Sequence, residues 1–164
     1  ALGQTVMISR YGHDFRLAEY LRQYTSGPVA FVMGVPSVLR LFDEGYYTQV
    51  GGGILESIGR LFQSGIKVYV YPFKDAAAGK LMTAENLDVA PRLKHLYAYL
   101  LENHLVESIK EVDETQLHIL PRDVLAMLQR GDPSWETLVP ERLVPLIKAR
   151  RFYGSRRPSG IVPY

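Results

Sequence analysis

GGGILESIGRLFQSGIKVYVYPF, residues 51–73, is the stretch from which the rest of the chain is read. Three glycines lead into Ile54, Leu55, Ile58, Leu61 and Phe62, which recur at three- and four-residue spacing. That period is a helix with one apolar stripe, expected over Ile54 to Gln63 and stopped by Gly65. A glycine inside it, Gly59, costs about 1 kcal/mol against alanine, which points to a close backbone contact there. IKVYVY, from Ile66 to Tyr71, then reads as a buried strand that Pro72 ends.

Upstream, the same logic repeats. QTVMIS (Gln4 to Ser9) reads as a short strand, and RYGHD breaks it. Asp14 is a candidate cap for a helix running to about Tyr24, with Phe15, Leu17, Ala18, Leu21 and Tyr24 on its apolar face and Thr25-Ser26-Gly27 as its stop. VAFVMG, from Val29, is a second strand, apolar on both faces as in a parallel sheet covered by helices. Gly34-Val35-Pro36-Ser37 is a tight turn into a helix carrying Val38, Leu39, Leu41 and Phe42 and ending by Gly45. Tyr46 to Val50 reads as a loop or a short edge strand.

Two strand–helix–strand units in succession predict an α/β fold: a three-layer, Rossmann-like domain with a mostly parallel sheet. Lys74 to Asn86 is a mobile-looking connection on the carboxyl side of that sheet, the edge where open α/β sheets bind ligands. Pro91 to Asn103 is a helix with Leu93, Leu96, Tyr97, Leu100 and Leu101 inward. Leu105 to Val112 fits a strand or a helix extension.

The last third changes character. Leu117 to Leu120 reads as a short strand and Pro121 starts a helix that Gly131 ends. A turn follows around Trp135, and Glu141 to Arg151 reads as a last helix. The expected organisation is an α/β core over 1–112, a helical C-terminal extension over 113–153 packed on it, and an extended tail over 154–164.

Composition bounds the rest. The chain has 164 residues, 47% hydrophobic and 22% charged, as in a folded domain. A net charge of +2 is too small for a dedicated nucleic-acid or membrane-surface protein. The chain has no cysteine, so disulfides, thiolate metal sites and cysteine nucleophiles are excluded, in keeping with a cytoplasmic setting. No run approaches the length of a membrane span. TVMIS behind Ala1 reads as an interior strand, and the chain as a segment of a longer protein.

Several groups are candidates for chemistry. Gly12-His13 follows the first strand, where a histidine can donate to a phosphate and a glycine lets the backbone approach it; a plain turn into a helix is the other reading. Gly51, Gly52 and Gly53 before a helix can present N–H groups to an anion. They form neither a G-x-G-x-x-G fingerprint nor a P-loop, and Glu56 would repel phosphate, so a structural turn also fits. Gly34 sits at the carboxyl edge. Lys74, Asp75, Lys80 and Glu85 are the charged contributors on the next connection, or else a solvated loop. His13, His95, His104 and His118 show no metal-ligand spacing. Arg150, Arg151, Arg156 and Arg157 interleave with Phe152 and Tyr153; docking to an acidic partner or subunit is favoured over nucleic acid. Tyrosines at 46, 47, 69, 71, 97 and 99 suit the margin of a core or a subunit interface.

YYTQVGGGILESIGRLF, VYVYPFKD, MTAENLDVAPRLKHLYAYLLEN, GDPSWETLVPERL and KARRFYG resemble a bacterial protein family that goes under the label nicotinate-nucleotide adenylyltransferase. The likeness covers about Ser9 to Gly154, and the family's members are longer. It implies nucleotidyl transfer with a His-x-Gly-His phosphate motif. Here Arg10 stands at the first histidine's position, only Gly12-His13 of the motif is present, and the later Ser-x-x-x-x-Arg loop has no clear copy.

Two functions are therefore carried forward. One is a domain that binds or acts on a nucleotide or another small phosphorylated molecule, through Gly12, His13, Gly34, Gly51, Gly52, Gly53, Lys74 and Lys80. The other is a non-catalytic assembly domain, a homo-oligomer or a subunit bound through its tyrosine-rich surface and C-terminal helices. Neither names a cofactor or a metal.

Overall fold

The computed structural model describes Thr5, residues 7–75 and residues 79–150, with Ser64 through its backbone alone. The chain divides into two compact units, Ala1–Val112 and Asp113–Tyr164. The fold is a mixed α/β one containing a small parallel sheet.

The described strands are β1 (Ala30–Gly34), β2 (Lys67–Tyr71), β3 (Phe73–Lys74), β4 (Leu81–Met82) and β5 (Val106–Ser108). β1, β2 and β5 form a parallel sheet in that order, and β3 and β4 pair as an antiparallel hairpin. Because successive strand residues point to opposite faces, the register sorts the side chains. Phe31, Val68 and Val106 are neighbours on one face, as are Met33, Val70 and Ser108. Val68, Val70 and Val106 are buried almost completely. Each buried aliphatic side chain of this size contributes about 1.5–3 kcal/mol.

The opposite face differs from the expectation of helices on both sides. Ala30, Val32 and Gly34 of β1 are exposed, Val32 by 66%. The strand order explains why. When chain order and strand order coincide, right-handed crossovers all return over the same face. α2 (Val35–Leu41) accordingly packs on β1 and β2, and α4 (Lys94–Glu102) on β5. Among the described residues of this unit, the sheet has one helical layer.

α1 (Asp14–Arg22) packs against α3 (Gly53–Phe62). His13, not Asp14, holds the cap position of α1. Its backbone is extended and its carbonyl accepts from the N–H groups of Arg16 and Leu17. Asp14 is already helical and places its charge in the first turn, where the helix dipole favours it. α3 buries Ile54, Ile58, Leu61 and Phe62 as its spacing predicts, but Leu55 is 67% exposed and Ser57 takes the inner position. Ser57 Oγ donates to the Gly53 carbonyl at 2.8 Å, so its burial leaves no unpaired hydroxyl. The close contact expected at Gly59 is absent, since a methyl there would meet nothing within 4 Å.

Smaller elements also depart from the sequence reading. Gln4 and Val6 lie outside the described residues. Met7 to Ser9 form no strand, and Ile8 is 92% exposed. Glu44–Tyr47 is a 3-10 turn started by Asp43, whose carboxylate accepts from Gly45 N–H. Leu105 to Val112 resolves into the short β5 and a loop.

In the second unit, Val124, Leu128, Trp135 and Ile147 form the core between α5 (Pro121–Arg130), a 3-10 turn at Pro133–Leu138 and α6 (Val144–Arg150). Gly131 ends α5 in the left-handed conformation that glycine favours, with Asp132 N–H donating back to Met127. Leu117 to Leu120 form no strand; they follow a 3-10 turn, Glu114–Gln116, begun by Asp113. The last helix starts at Val144 after a separate turn at Glu141–Leu143, because Pro145 lacks an N–H and fits only a first helical turn. Residues 151–164, including the expected tail and Arg151, Arg156 and Arg157, lie outside the described residues.

Candidate functional site

At the start of α1, Gly12 and His13 are held by aromatic packing. The His13 ring lies 4.8 Å from that of Tyr46, 5.5 Å from Phe15 and 5.8 Å from Tyr47, centroid to centroid. Tyr46 OH donates to the Gly12 carbonyl. His13 Nδ1 is buried and makes no hydrogen bond. Tyr47 is in the core, its hydroxyl donating to Leu41 O at 2.9 Å, and burial raises its pKa. The turn bearing these tyrosines leads on through Val50 N–H to Tyr47 O and Gly53 N–H to Val50 O. Gly12 and His13 are thus brought beside the segment that enters Gly51–Gly53.

The glycines themselves receive a carboxylate. Gly53 has φ +59°, which only glycine adopts readily, and a Cβ on Gly52 would collide with the Glu56 side chain. Glu56 therefore folds over the N-terminus of its own helix, where an anion would otherwise sit. It also pairs with Arg60 at 3.0 Å, and Arg60 pairs with Glu19 through two nitrogens at 2.6 and 2.8 Å. The Arg60 guanidinium stands 4.6 Å from the Phe15 ring centre. Hydrogen bonding from Arg60 holds the Glu19 carboxyl below the usual carboxylate range. Next to this network Tyr11, Arg16, Glu19, Tyr20, Gln23 and Arg60 line a shallow depression of about 280 Å³.

At the carboxyl end of the sheet, Gly34 lies opposite Tyr71 and leads directly into α2. Lys74 is in β3 and Lys80 directly precedes β4, so the connection is a hairpin: Asp75 N–H donates to Lys80 O at 3.0 Å. Residues 76–78 at its tip lie outside the described residues. The turn that follows is fastened over the end of β5. Thr83 and Asn86 cap it reciprocally, Ala84 N–H donates to Ser108 Oγ at 2.8 Å, and Tyr97 OH donates to Ala84 O at 2.6 Å. Ser108 Oγ in turn donates to Glu85 at 2.7 Å. Partial burial pushes the Glu85 pKa up, but hydrogen bonds from Ser108, Thr83 and backbone N–H groups outweigh it and the net shift is downward. The expected mobile loop is, over its described residues, a hairpin followed by a capped turn at Thr83–Asn86. Ligand crevices in open α/β sheets form where the strand order reverses, and β1-β2-β5 has no reversal.

Sequence reasoning passed over the open face of the sheet. Ala30, Val32 and Gly34 form a low track along β1, and Lys67, Tyr69 and Tyr71 of β2 stand beside it. Lys67 Nζ pairs with Glu107 on β5 at 3.2 Å. The signal was present in KVYVY, where valines alternate with lysine and tyrosines, but AFVMG has no polar residue to mark its outer side. The tyrosines named earlier divide accordingly. Tyr47 and Tyr97 are buried, Tyr69 and Tyr71 are on this face, and Tyr99 is 56% exposed. Tyr11, Tyr20 and Tyr24 form a further run of ring contacts along α1.

Among the described residues no group of three or more histidines, aspartates or glutamates is placed to hold a metal ion. Among them, too, no helix is long and apolar enough to cross a membrane. The chain matches no protein-family model, no curated protein and no solved structure.

Proposed function

We propose that the chain is a non-catalytic assembly domain of a larger cytoplasmic complex, with a Rossmann-like core whose open sheet face is the contact surface. The observation that carries this is the 66% exposure of Val32 in the middle of a parallel strand. Parallel sheets are ordinarily covered on both faces, so the uncovered side of β1 at Val32 is where a partner's surface would complete the layers. The anion-ready positions support the same reading. Glu56 occupies the helix end at Gly52–Gly53, and the capped turn at Thr83–Asn86 closes the end of β5. The test is native mass of the protein recovered from the cells that make it, beside Val32→Lys. The wild type is expected above the mass that the same protein shows as a single denatured chain, and Val32→Lys at that single-chain mass with its fold intact. A single-chain mass for both refutes the proposal.

A second reading is favoured by two observations on the first turns of this unit, the buried and unpartnered His13 Nδ1 and the depression lined by Tyr11, Arg16, Glu19, Tyr20, Gln23 and Arg60. Two tyrosine rings and the Arg16 guanidinium suit a nucleotide or another small phosphorylated ligand, which would have to compete with Glu19 and Glu56 for Arg60. With the resemblance to the adenylyltransferase-labelled family, this supports nucleotidyl transfer within a longer protein. Thermal unfolding against nucleotides and simple phosphates tests it, since ligand at 100 times its dissociation constant adds about 2.7 kcal/mol. A selective rise that His13→Ala abolishes is expected; no rise across the panel removes the reading.

A further inference from the structure

We draw no further inference here: the strongest candidate, the side-chain cluster at the start of α1 in which the buried, unpartnered His13 Nδ1 is packed among Phe15, Tyr46 and Tyr47, belongs to the site already described.

Discussion

α3 contains two glycines that should respond oppositely to one methyl group. Gly59 is exposed, mid-helix, and a Cβ added to it would have nothing within 4 Å. Gly59→Ala then adds only helix propensity and reduced freedom of the unfolded chain, worth about 1 kcal/mol. Gly53 opens the same helix at φ +59°, also with nothing within 4 Å of an added Cβ. There the cost is backbone strain alone, about 1–2 kcal/mol, partly offset by the same unfolded-state gain. The net expectation is a loss of about 1 kcal/mol. In a chain of this size 1 kcal/mol shifts the melting temperature by about 2–4 °C, so the two variants should melt about 4–8 °C apart. The single tryptophan, Trp135, belongs to the second unit, so its fluorescence is the wrong probe. Far-UV circular dichroism and amide exchange across residues 53–70 report on the right elements. A Gly59→Ala protein no more stable than wild type would refute the open helix face, and a harmless Gly53→Ala would refute the left-handed entry.

Other outcomes follow from the buried hydroxyls and the second core. Burial raises the Tyr97 pKa, so its neutral form is stabilising below the ordinary value of 10.0 and that stability falls as pH rises above it. Tyr97→Phe should cost about 1 kcal/mol at neutral pH through the lost bond to Ala84, and the gap from wild type should narrow in melts above pH 10. A constant gap would count against it. Glu85 has a lowered pKa, so its contribution is present above the ordinary value of 4.5 and disappears as pH falls through its folded value. Glu85→Gln should flatten acid unfolding in that window, measured by circular dichroism; an unchanged acid limb would show the Ser108 contact to be inert. Trp135→Ala removes the largest member of a small core, about 3–5 kcal/mol, and should abolish exchange protection in α5. Retained protection there would place the core elsewhere.

The helices and the main strands were legible in the sequence because packing enforces their periods. Val68 and Val70 alternate with tyrosines, and Ile54, Ile58, Leu61 and Phe62 share a stripe. What was not legible depended on direction. Alternation in AFVMG is hidden because both sides are apolar, and no local pattern says whether a crossover returns to the left or right of its strand. Glu85 and Ser108 are 23 positions apart, so their contact leaves no spacing to read. Gly12 and His13 were legible as a polar break, but their aromatic surroundings come from Tyr46 and Tyr47, far along the chain.

A sheet whose strands are laid down in chain order has a consequence for how it is made. Each new strand needs only the one before it as a template: β2 docks on β1, and β5 on β2. No earlier strand has to wait for a later one to be inserted between its neighbours. During synthesis the sheet can grow from one side as the chain emerges, with each connecting helix closing over the strand it has just left. The first strand then spends the longest time with an unshielded edge and face, so it is the part of the sheet that the nascent chain must keep from sticking.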